Sequence, residues 1–361
     1  MKICFLAAAS SIHTIRWVNA MVDKGHEVSL ITMHPEEENK VDKRVTVYHL
    51  KVTNGLGYYS NVFELRKLLK QINPEILNAH YASGYGTLAR LSRFQPTLLS
   101  VWGSDVYDYP YHSKLNMKNI MKNLMYPQLL ASTSYDMKRQ INTLVNRDDI
   151  EITPFGIDLD LFKYIDGLKK KDTIKIGIVK TLEENYGVKY LIEAFSLLTN
   201  KLHEIKFQGQ LVELDIVGNG SQKEFLMQYV KTLNLENVVT FTDRIPNNQV
   251  PQKLNSFDIY CAPSLAESFG VAIIEASACK LPVVVTNVGG LKEVVKHGET
   301  GIIVESENAQ QLAEALLKLV LDTNLRVDYG ENGRKFVAQH YEWKENVKMM
   351  EQAYIKCLNK I

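Results

Sequence analysis

Pro263 to Ala276 reads PSLAESFGVAIIEA, and this stretch says most about the fold. It follows an apolar segment that predicts a buried strand, and a helix is predicted to begin near Gly270. The N-terminus of a helix presents unpaired backbone amides and the positive end of the helix dipole, and glycine lets a phosphate come close to the backbone. The stretch therefore predicts an anion site in a strand-to-helix loop.

Two glutamates lie on either side of this predicted anion site. Glu275 is one helical turn inside the predicted helix, where its carboxylate can accept hydrogen bonds from the vicinal hydroxyls of a ribose. Glu267 precedes the helix and suits the hydroxyls of a sugar. The spacing alone fits equally well a capped helix with one solvated and one ion-paired glutamate, so both interpretations stay open at this point.

Strand and helix patterns alternate from this stretch outward to both ends of the chain. In the second half, the predicted strands are Ile174–Val179, Glu213–Val217, Val238–Thr242, Asp258–Ala262, Pro282–Thr286 and Gly301–Val304. In the first half, they are Ile3–Ala7, Glu27–Thr32, Val45–Leu50, Ile76–Ala79 and Leu98–Trp102. This alternation predicts an α/β protein with doubly wound parallel sheets, whose ligands meet the loops at the carboxyl ends of the strands.

The segment Thr153–Asp172 interrupts the alternation. It contains a proline, a glycine, several aspartates and a run of three lysines, and this composition predicts an interdomain linker. A chain of 361 residues is long enough for two α/β domains. We therefore predict an N-terminal domain over residues 1–160, a C-terminal domain over residues 161–342, and a last helix over Trp343–Leu358.

Composition narrows the class of protein. With 45% hydrophobic and 23% charged residues the chain is globular, and a net charge of +1 argues against a general nucleic-acid binder. The first ten residues fit a buried strand better than a signal peptide, and no stretch approaches the roughly 18 apolar residues of a spanning helix. The cysteines lack metal-site spacing and predict buried free thiols in a reducing compartment, hence a cytoplasmic protein. They are Cys4, Cys261, Cys279 and Cys357.

The glutamate pair and its surroundings resemble the family-4 retaining glycosyltransferases of the GT-B fold. Their signature is a glutamate, seven residues and a second glutamate, which Glu267 and Glu275 match. The resemblance covers nearly the whole chain. It continues through Leu281–Val285, Gly289–Gly290, Glu293, Gly298–Gly301, Asp215–Gly220 and, in the first half, Gly25–Val28.

The resemblance implies two Rossmann-like domains that face a cleft, with the helix at about 343–361 packing back on the N-terminal domain. The C-terminal domain would bind a UDP- or GDP-sugar as substrate, and no separate cofactor is expected. The donor pyrophosphate would lie near Ser268, Phe269 and Gly270, the ribose on Glu275, and the donor sugar near Glu267. Gly218, in the matching Asp215–Gly220 loop, and Asn185 would also contact the donor. Arg244, in the loop Asp243–Pro246, would lie near the base, although this loop also fits an ordinary strand-to-helix turn.

One loop departs from the family pattern. Members usually carry an arginine and a lysine after the first strand of the second domain, both directed at the pyrophosphate. Here Lys180 fits the first basic position, and Asn185 or Tyr186 occupies the second. Loss of one charge-assisted contact would cost roughly 1.5–3 kcal/mol unless Lys189 reaches in. We expect the positive charge to be arranged differently in this chain.

On the acceptor side, the resemblance implies a histidine next to the transferring sugar. The segment Asn78–Gly84 matches the histidine-containing loop of the family, so His80 is our choice, although a histidine that ends a strand is often a packed core residue. Trp102 replaces a histidine that relatives commonly carry before a glycine. Further residues predicted on the acceptor side are Ser10, Ser11, His13 and Asp105, the last of which also fits a turn cap.

The resemblance also implies the chemistry. Lys180, Glu267 and His80 would form the catalytic set, and donors on the pyrophosphate would stabilise the departing charge. The acceptor hydroxyl would attack from the face of the leaving group and lose its proton to the leaving phosphate, without a metal ion. Asp158 and Asp160 mimic a DxD metal motif, but they lie in the predicted linker.

The segment Tyr111–Leu130 combines lysines and apolar residues at helical spacing. Lys114, Lys118 and Lys122 recur every four residues among leucines, isoleucine and methionines. Such a helix can lie on an anionic membrane surface and bring the enzyme to a lipid-linked acceptor at the inner face of the membrane. It can equally well be a lysine-bearing helix packed on its own domain.

Three functions therefore remain for the sequence. The first is a glycosyltransferase that acts on a glycan or lipid-linked acceptor in surface polysaccharide or glycolipid synthesis. The second is an epimerase or phosphorylase of the same architecture, which the Glu267–Glu275 block disfavours. The third is a non-catalytic subunit that binds donor, suggested by the missing second basic residue.

Overall fold

The computed structural model describes residues 1–36 and 40–360. The chain divides into two compact units, and each is described by itself. Unit 1 comprises Met1–Phe155 together with Lys344–Ile361, and unit 2 comprises Gly156–Trp343. Each unit is built on a parallel sheet with helices, as the alternating pattern predicts.

Unit 1 contains a seven-stranded sheet in the order β3-β2-β1-β4-β5-β6-β7. The strands run parallel, so that Phe5 of β1 lies between Leu30 of β2 and Asn78 of β4. The central strands are buried on both faces, which is why most of their residues are apolar. The strands are β1 Lys2–Leu6, β2 Glu27–Thr32, β3 Thr46–His49, β4 Ile76–His80, β5 Thr97–Val101, β6 Leu129–Ser132 and β7 Ile150–Ile152.

The helices of unit 1 present apolar stripes to this sheet. In α3, for example, Leu65, Leu69 and Ile72 are buried at helical spacing. The helices are α1 Ile12–Asp23, α2 Gly57–Ser60, α3 Val62–Ile72, α4 Gly84–Ser92, α5 Ser104–Tyr107, α6 Lys114–Met125 and α7 Tyr135–Leu144. A short 3-10 helix, Tyr109–His112, lies between α5 and α6.

Unit 2 contains a six-stranded parallel sheet in the order β10-β9-β8-β11-β12-β13. The strands are β8 Thr173–Val179, β9 Leu211–Val217, β10 Val239–Thr242, β11 Ile259–Ala262, β12 Val283–Thr286 and β13 Gly301–Val304. The helices are α8 Val188–Glu204, α9 Lys223–Thr232, α10 Val250–Leu254, α11 Val271–Ala278, α12 Leu291–Val294, α13 Ala309–Leu321 and α14 Thr323–His340. Phe195 and Leu198 of α8 and Leu316 of α13 are fully buried in its core.

The last helix, α15 Trp343–Leu358, contributes to unit 1. The buried Asn78 side chain of β4 donates a hydrogen bond of 2.7 Å to the Tyr354 hydroxyl. His26 Nε2 lies 2.9 Å from Glu351. The helix α15 thus packs against the first sheet through its contact with β4.

The predicted fold class is confirmed, and the strand predictions differ from the structure mainly at their ends. Two strands were not predicted, β6 and β7, which extend the first sheet beyond β5. The four cysteines are free and buried, as predicted. Across residues 1–36 and 40–360, we find no helix with the length and apolarity needed to cross a bilayer.

Candidate functional site

The strand order of unit 2 places one crevice at the carboxyl ends of β8 and β11. From β8 the chain continues to β9 and β10 on one side of the sheet, and β11, β12 and β13 then follow on the other side of β8. The strand order therefore reverses between β8 and β11. Ligands of doubly wound sheets bind where the strand order reverses in this way. Lys180 directly follows β8, and Glu267 lies in the loop after β11.

Lys180 and Glu267 form an ion pair at this crevice. The Lys180 ammonium donates to Glu267 Oε2 at 2.7 Å, and only 21% and 14% of the two side chains are exposed. The Tyr186 ring centroid lies 4.2 Å from the same ammonium. Burial by itself lowers the pKa of Lys180, but Glu267, Tyr186 and Glu275 together raise it above its ordinary value. Lys180 therefore keeps its charge at neutral pH.

Helix α11 begins where the sequence predicts it. Gly270 precedes the helix with φ at 103°, a left-handed conformation that glycine adopts without strain. The Phe269 side chain is 2% exposed and anchors the loop, whereas Ser268 before it is half-buried. Glu275 lies in the second turn and its charge acts on Lys180. The helix N-terminus and the ammonium thus form one positive region beside two carboxylates.

Glycines hold the loops of this region against one another. A Cβ atom on Gly218 would lie 1.8 Å from the Lys180 carbonyl, and one on Gly187 would lie 2.1 Å from the Pro263 carbonyl. On Gly290 it would lie 2.5 Å from the Ser268 carbonyl. The Gly290 amide donates to the Glu267 carbonyl at 2.9 Å. Only glycine permits these close approaches. The predicted Gly218 therefore lets its loop pack directly against the backbone of Lys180.

At Asn185 and Tyr186, where the family resemblance implies a second basic residue, the structure has no cation but two other contacts. The Asn185 carbonyl accepts hydrogen bonds from the amides of Leu265 and Ala266, at 2.8 and 3.3 Å. Asn185 thereby supports the glutamate loop through its backbone. Tyr186, not a second cation, contacts Lys180. Lys189, the predicted substitute, instead lies 3.6 Å from Glu193.

Arg244 is not brought to the ion pair. It is exposed in the loop after β10, two strands away from β8. Among the residues that the structure describes, no hydrogen bond or ion pair of Arg244 with Lys180 or Glu267 is found. Its predicted role at the base of the donor stays a prediction.

In unit 1, His80 ends β4 inside an aromatic cluster. Its ring centroid lies 4.5 Å from that of Trp102 and 5.3 Å from that of Phe5. His80 Nδ1 lies 3.4 Å from the Thr14 hydroxyl, and Nε2 has no hydrogen-bond partner within the described part of the chain. Burial, with a contribution from the charge of His13, lowers the pKa of His80 to about 3. His80 is therefore a neutral imidazole at pH 7.

The other residues predicted on the acceptor side have different surroundings. The His13 ring stacks on Phe155 at 4.0 Å between ring centroids. Asp105 is fully buried and accepts from the amides of Ala82 and Gly103, at 2.7 and 2.8 Å. Burial raises the pKa of Asp105, and these backbone hydrogen bonds oppose the rise. Asp105 thus fixes two loops, as in the turn-cap alternative, while Ser10 is exposed.

A cavity of about 510 Å³ lies within unit 1, and Ser11 and His80 are part of its wall. Most of that wall is aromatic. The aromatic residues besides the histidines are Tyr58, Tyr59, Tyr81, Tyr85, Trp102 and Tyr109. Of these, only Trp102 was named from the sequence as a residue of interest, because the tyrosines come from separate segments. The Tyr58–Tyr59 pair that follows Gly55 and Gly57 was a usable signal.

Two family models match the chain in succession. The model of "Glycosyl transferase 4-like" proteins matches residues 2–134, and that of "Glycosyl transferases group 1" matches residues 163–336. The chain belongs to the family-4 glycosyltransferases of the GT-B fold. The resemblance stated from the motifs is thereby confirmed, and the protein is a transferase that moves a sugar to an acceptor.

Several relatives of this glycosyltransferase match over nearly its full length. An uncharacterized glycosyltransferase of Methanocaldococcus jannaschii is 25% identical over 92% of this chain and 90% of its own. N-acetyl-alpha-D-glucosaminyl L-malate synthase of Bacillus anthracis is 24% identical over 94% of this chain and 91% of its own.

Solved structures agree on the fold. Sucrose-phosphate synthase from Thermosynechococcus elongatus superposes with a TM-score of 0.86 at 18% identity, over 99% of both chains. HepE of Anabaena, in complex with UDP, superposes with a TM-score of 0.81 at 18% identity, over 99% of this chain and 100% of its own. At this identity the likeness establishes the GT-B architecture of the two sheets and no more.

Proposed function

We propose that this glycosyltransferase moves a hexose or N-acetylhexosamine from a UDP- or GDP-sugar to a glycan or lipid-linked acceptor, with retention of the anomeric configuration. The observation that carries the proposal is the Lys180–Glu267 pair beside the N-terminus of α11. A nucleoside diphosphate needs a fixed cation and oriented amides, and a sugar needs carboxylate acceptors. The HepE structure with UDP, a protein of the same fold, supports a uridine nucleotide as the first candidate.

In the proposed complex, unit 2 binds the donor. The pyrophosphate takes the amides at Ser268, Phe269 and Gly270, and Glu275 accepts from the ribose hydroxyls. Lys180 then lies between Glu267 and the pyrophosphate and stabilises the charge that develops as the glycosidic bond lengthens. The acceptor hydroxyl transfers its proton to the leaving phosphate oxygen, so the cation and the helix dipole supply the electrostatic stabilisation and no metal ion is invoked.

Retention by attack on the same face agrees with the state of Glu267. Pairing with a cation makes a carboxylate a weaker nucleophile, and Glu267 accepts a hydrogen bond from the Lys180 ammonium at 2.7 Å. The pairing makes Glu267 better suited to holding donor hydroxyls than to forming a covalent intermediate. His80 is neutral and is proposed to lie next to the transferring sugar as a hydrogen-bond partner.

The test combines binding, turnover and stereochemistry. Calorimetry with UDP, GDP and their sugars measures donor binding, and a nucleotide-release assay measures turnover. NMR then assigns the anomeric configuration of the product. We expect Glu275→Gln to weaken nucleotide binding and Glu267→Gln to lower kcat, each by about 10–100-fold. The matched control is Glu299→Gln, an exposed glutamate before β13.

The outcomes separate the candidate functions. An inverted product would overturn the retaining mechanism. If the protein binds a nucleotide sugar but releases no nucleotide with any acceptor, the non-catalytic donor-binding subunit is favoured. If it converts the donor into another nucleotide sugar without transfer of the sugar, an epimerase is favoured. Full activity in a folded double variant, Glu267→Gln with Glu275→Gln, would overturn the proposed site.

We further propose that the enzyme works at the cytoplasmic face of a membrane in surface polysaccharide or glycolipid synthesis. Helix α6 carries the exposed residues Lys114, Lys118 and Lys122, and its sequence contains no acidic residue. Leu115 and Met125 on the same helix are 76% and 58% exposed. A surface with cations and exposed apolar side chains suits an anionic bilayer.

Flotation with vesicles of anionic phospholipid tests this contact. Lys118→Glu with Lys122→Glu reverses two charges on α6, and we expect binding to fall by about tenfold or more, since each lysine near the surface contributes roughly 1 kcal/mol. Lys67→Glu with Lys70→Glu makes the same change on α3 and serves as the control. Equal flotation of both double variants and the unaltered protein would rule out α6 as the contact.

A further inference from the structure

The aromatic cavity of unit 1 has walls without a charged side chain. Among the lining residues in the described part of unit 1, there is no aspartate, glutamate, lysine or arginine. The rings in the wall that can become cationic are His34 and His80, and burial lowers the pKa of each. An anionic group in this cavity would therefore meet no cationic side chain of the unit 1 wall, and only the helix N-termini at Ser11 and Ser83 would offset its desolvation.

The walls combine flat apolar surfaces with hydroxyl groups. Six aromatic rings face a space of about 510 Å³, and serine and threonine hydroxyls lie between them. A tyrosine offers an apolar ring face and one hydrogen-bonding group. A pyranose matches both features, because its C–H face packs on rings and its hydroxyls pair with hydroxyls. A hydrocarbon chain would leave the polar groups without partners.

This cavity is rigidly built. The Tyr85 hydroxyl lies 2.7 Å from His34 Nδ1 and accepts from the Met33 amide at 3.0 Å. Tyr58 packs edge-on against Tyr85 at 5.4 Å between centroids. Gly84 makes room for Tyr58, since a Cβ atom there would lie 2.4 Å from the Tyr58 ring.

Tyr81 adds an independent sign of function. It directly follows β4, lines the cavity and has φ at 77°, a left-handed conformation that costs a bulky residue of order 1–3 kcal/mol. Such strain persists where the surrounding structure requires the side chain in one place, and it clusters at binding sites. Here it holds an aromatic ring in the wall that also contains His80.

We infer that the cavity of unit 1 binds the neutral saccharide end of the acceptor, and that acceptors with an acidic group at that end are excluded. The inference rests on the proposed function for the identity of the reaction, but the occupancy of the cavity can be measured without turnover. N-acetyl-alpha-D-glucosaminyl L-malate synthase of Bacillus anthracis and a second relative, D-inositol 3-phosphate glycosyltransferase of Paenarthrobacter aurescens, have names that include an anionic compound, so this chain would differ from what those names state.

Trp102 provides a direct readout, because it lies in the cavity wall. Titration of the full chain with neutral methyl glycosides and disaccharides of glucose, galactose and N-acetylglucosamine should quench its fluorescence saturably for at least one of them. Glucuronic acid, L-malate and inositol phosphate should give no saturable change. Trp102→Phe serves as the blank, because it should remove the signal.

Two wall variants and one control complete the design. Tyr59→Ala and Tyr109→Ala remove rings that are not fully buried, and each should weaken saccharide binding about tenfold. Phe63→Ala removes a ring that is 80% exposed on α3 and outside the cavity, and binding should stay unchanged. Nucleotide binding, which belongs to unit 2, should be the same in all three variants.

Two results would overturn the inference. One is saturable quenching by an acidic ligand at equal or lower concentration than by its neutral counterpart. The other is no quenching by any neutral saccharide of the panel. If saccharides quench the fluorescence but no sugar is transferred from any donor, the proposed function fails while the assignment of the cavity stands.

Discussion

At the scale of single residues, two contacts hold Lys180 in the candidate site, the ion pair with Glu267 and the ring face of Tyr186. The family resemblance implies a second basic residue where this chain has Asn185 and Tyr186. The ring face of Tyr186 lies 4.2 Å from the Lys180 ammonium, within the range of a cation–π interaction. Tyr186 therefore acts as a positioning residue, because it holds the cation without adding a charge that would repel it.

Substitution of Tyr186 tests this positioning role. Tyr186→Leu removes the ring, and we expect kcat/KM for the donor to fall about 5–30-fold, the equivalent of roughly 1–2 kcal/mol. Tyr186→Phe keeps the ring face and should retain most of the activity. Steady-state kinetics with varied donor provide the measurement. An equal loss in both variants would show that the hydroxyl, not the ring face, is what matters.

His80 makes the stability of the protein depend on pH. Its pKa is about 3 in the folded chain and near 6.5 when unfolded, so the unfolded state binds more protons between these values. The contribution of His80 to the free energy of unfolding is fully present above pH 6.5 and is lost as the pH falls towards 3. Between about pH 6.5 and pH 5, the free energy of unfolding should fall by roughly 2 kcal/mol through this residue.

Urea unfolding at two pH values measures this term. His80→Gln should lose less stability than the unaltered protein on going from pH 7 to pH 5. His112→Gln, which changes an exposed histidine, should follow the unaltered protein. If His80→Gln and the unaltered protein lose equal stability, the imidazole is not the group that titrates in this range.

At the scale of elements, the proposed donor site depends on loops that approach each other closely at glycines. The loop after β12 supports the loop after β11, and Gly290 is the point where they touch. Its φ lies outside the left-handed region, so an alanine there would suffer from the clash with Ser268 and Phe269 and not from backbone strain. The Ser268–Gly270 amides would have to move.

Gly290→Ala should therefore impair the donor site specifically. We expect the KM for the donor to rise about tenfold or more, because a shift of a few tenths of an ångström already weakens several aligned hydrogen bonds. Gly298→Ala provides the comparison, since Gly298 has φ at 78° but nothing within 4 Å of a Cβ atom. It should cost about 1 kcal/mol of stability and leave the KM unchanged. A raised KM in both variants would indicate a general loss of folding.

At the scale of the whole molecule, the two sheets could be predicted because parallel strands buried on both faces leave long apolar runs. β6 and β7 were missed for the opposite reason. β6 follows a helix whose own apolar residues blur its start, and β7 has three residues, too few to show a period. The ends of strands shifted by one or two residues because pairing with neighbours, not composition, decides them.

The candidate sites were predictable to different degrees. The glutamate spacing left two interpretations open, and the ion pair between Lys180 and Glu267 joins residues that are 87 positions apart. Only the fold brings them together. The tyrosines of the aromatic cavity come from separate segments of unit 1, and no local pattern in any one of them predicts a cavity. For Asp105 the sequence left an acceptor contact and a turn cap open, and the structure shows the backbone contacts of a turn cap together with a full burial that the sequence did not indicate.

The last helix, α15, links the first and last parts of unit 1 through a hydrogen bond between residues that are far apart in the sequence. Tyr354 is fully buried, and its hydroxyl accepts from Asn78, 276 positions earlier. Tyr354→Phe would leave the buried Asn78 donor without this partner, at a cost of about 1–3 kcal/mol. Because α15 belongs to unit 1, the loss should appear in the unfolding of that unit and not of unit 2.

Scanning calorimetry of the full chain can locate this loss. Nucleotide should raise the Tm of the unit that binds it, which we propose is unit 2. We expect Tyr354→Phe to lower the Tm of the other transition, the one that nucleotide does not shift. Ile355→Ala alters the neighbouring position, where the side chain is 51% exposed, and should change stability by no more than about 0.5 kcal/mol. A fall confined to the nucleotide-sensitive transition would mean that α15 supports unit 2, contrary to the contacts of Tyr354 and Glu351.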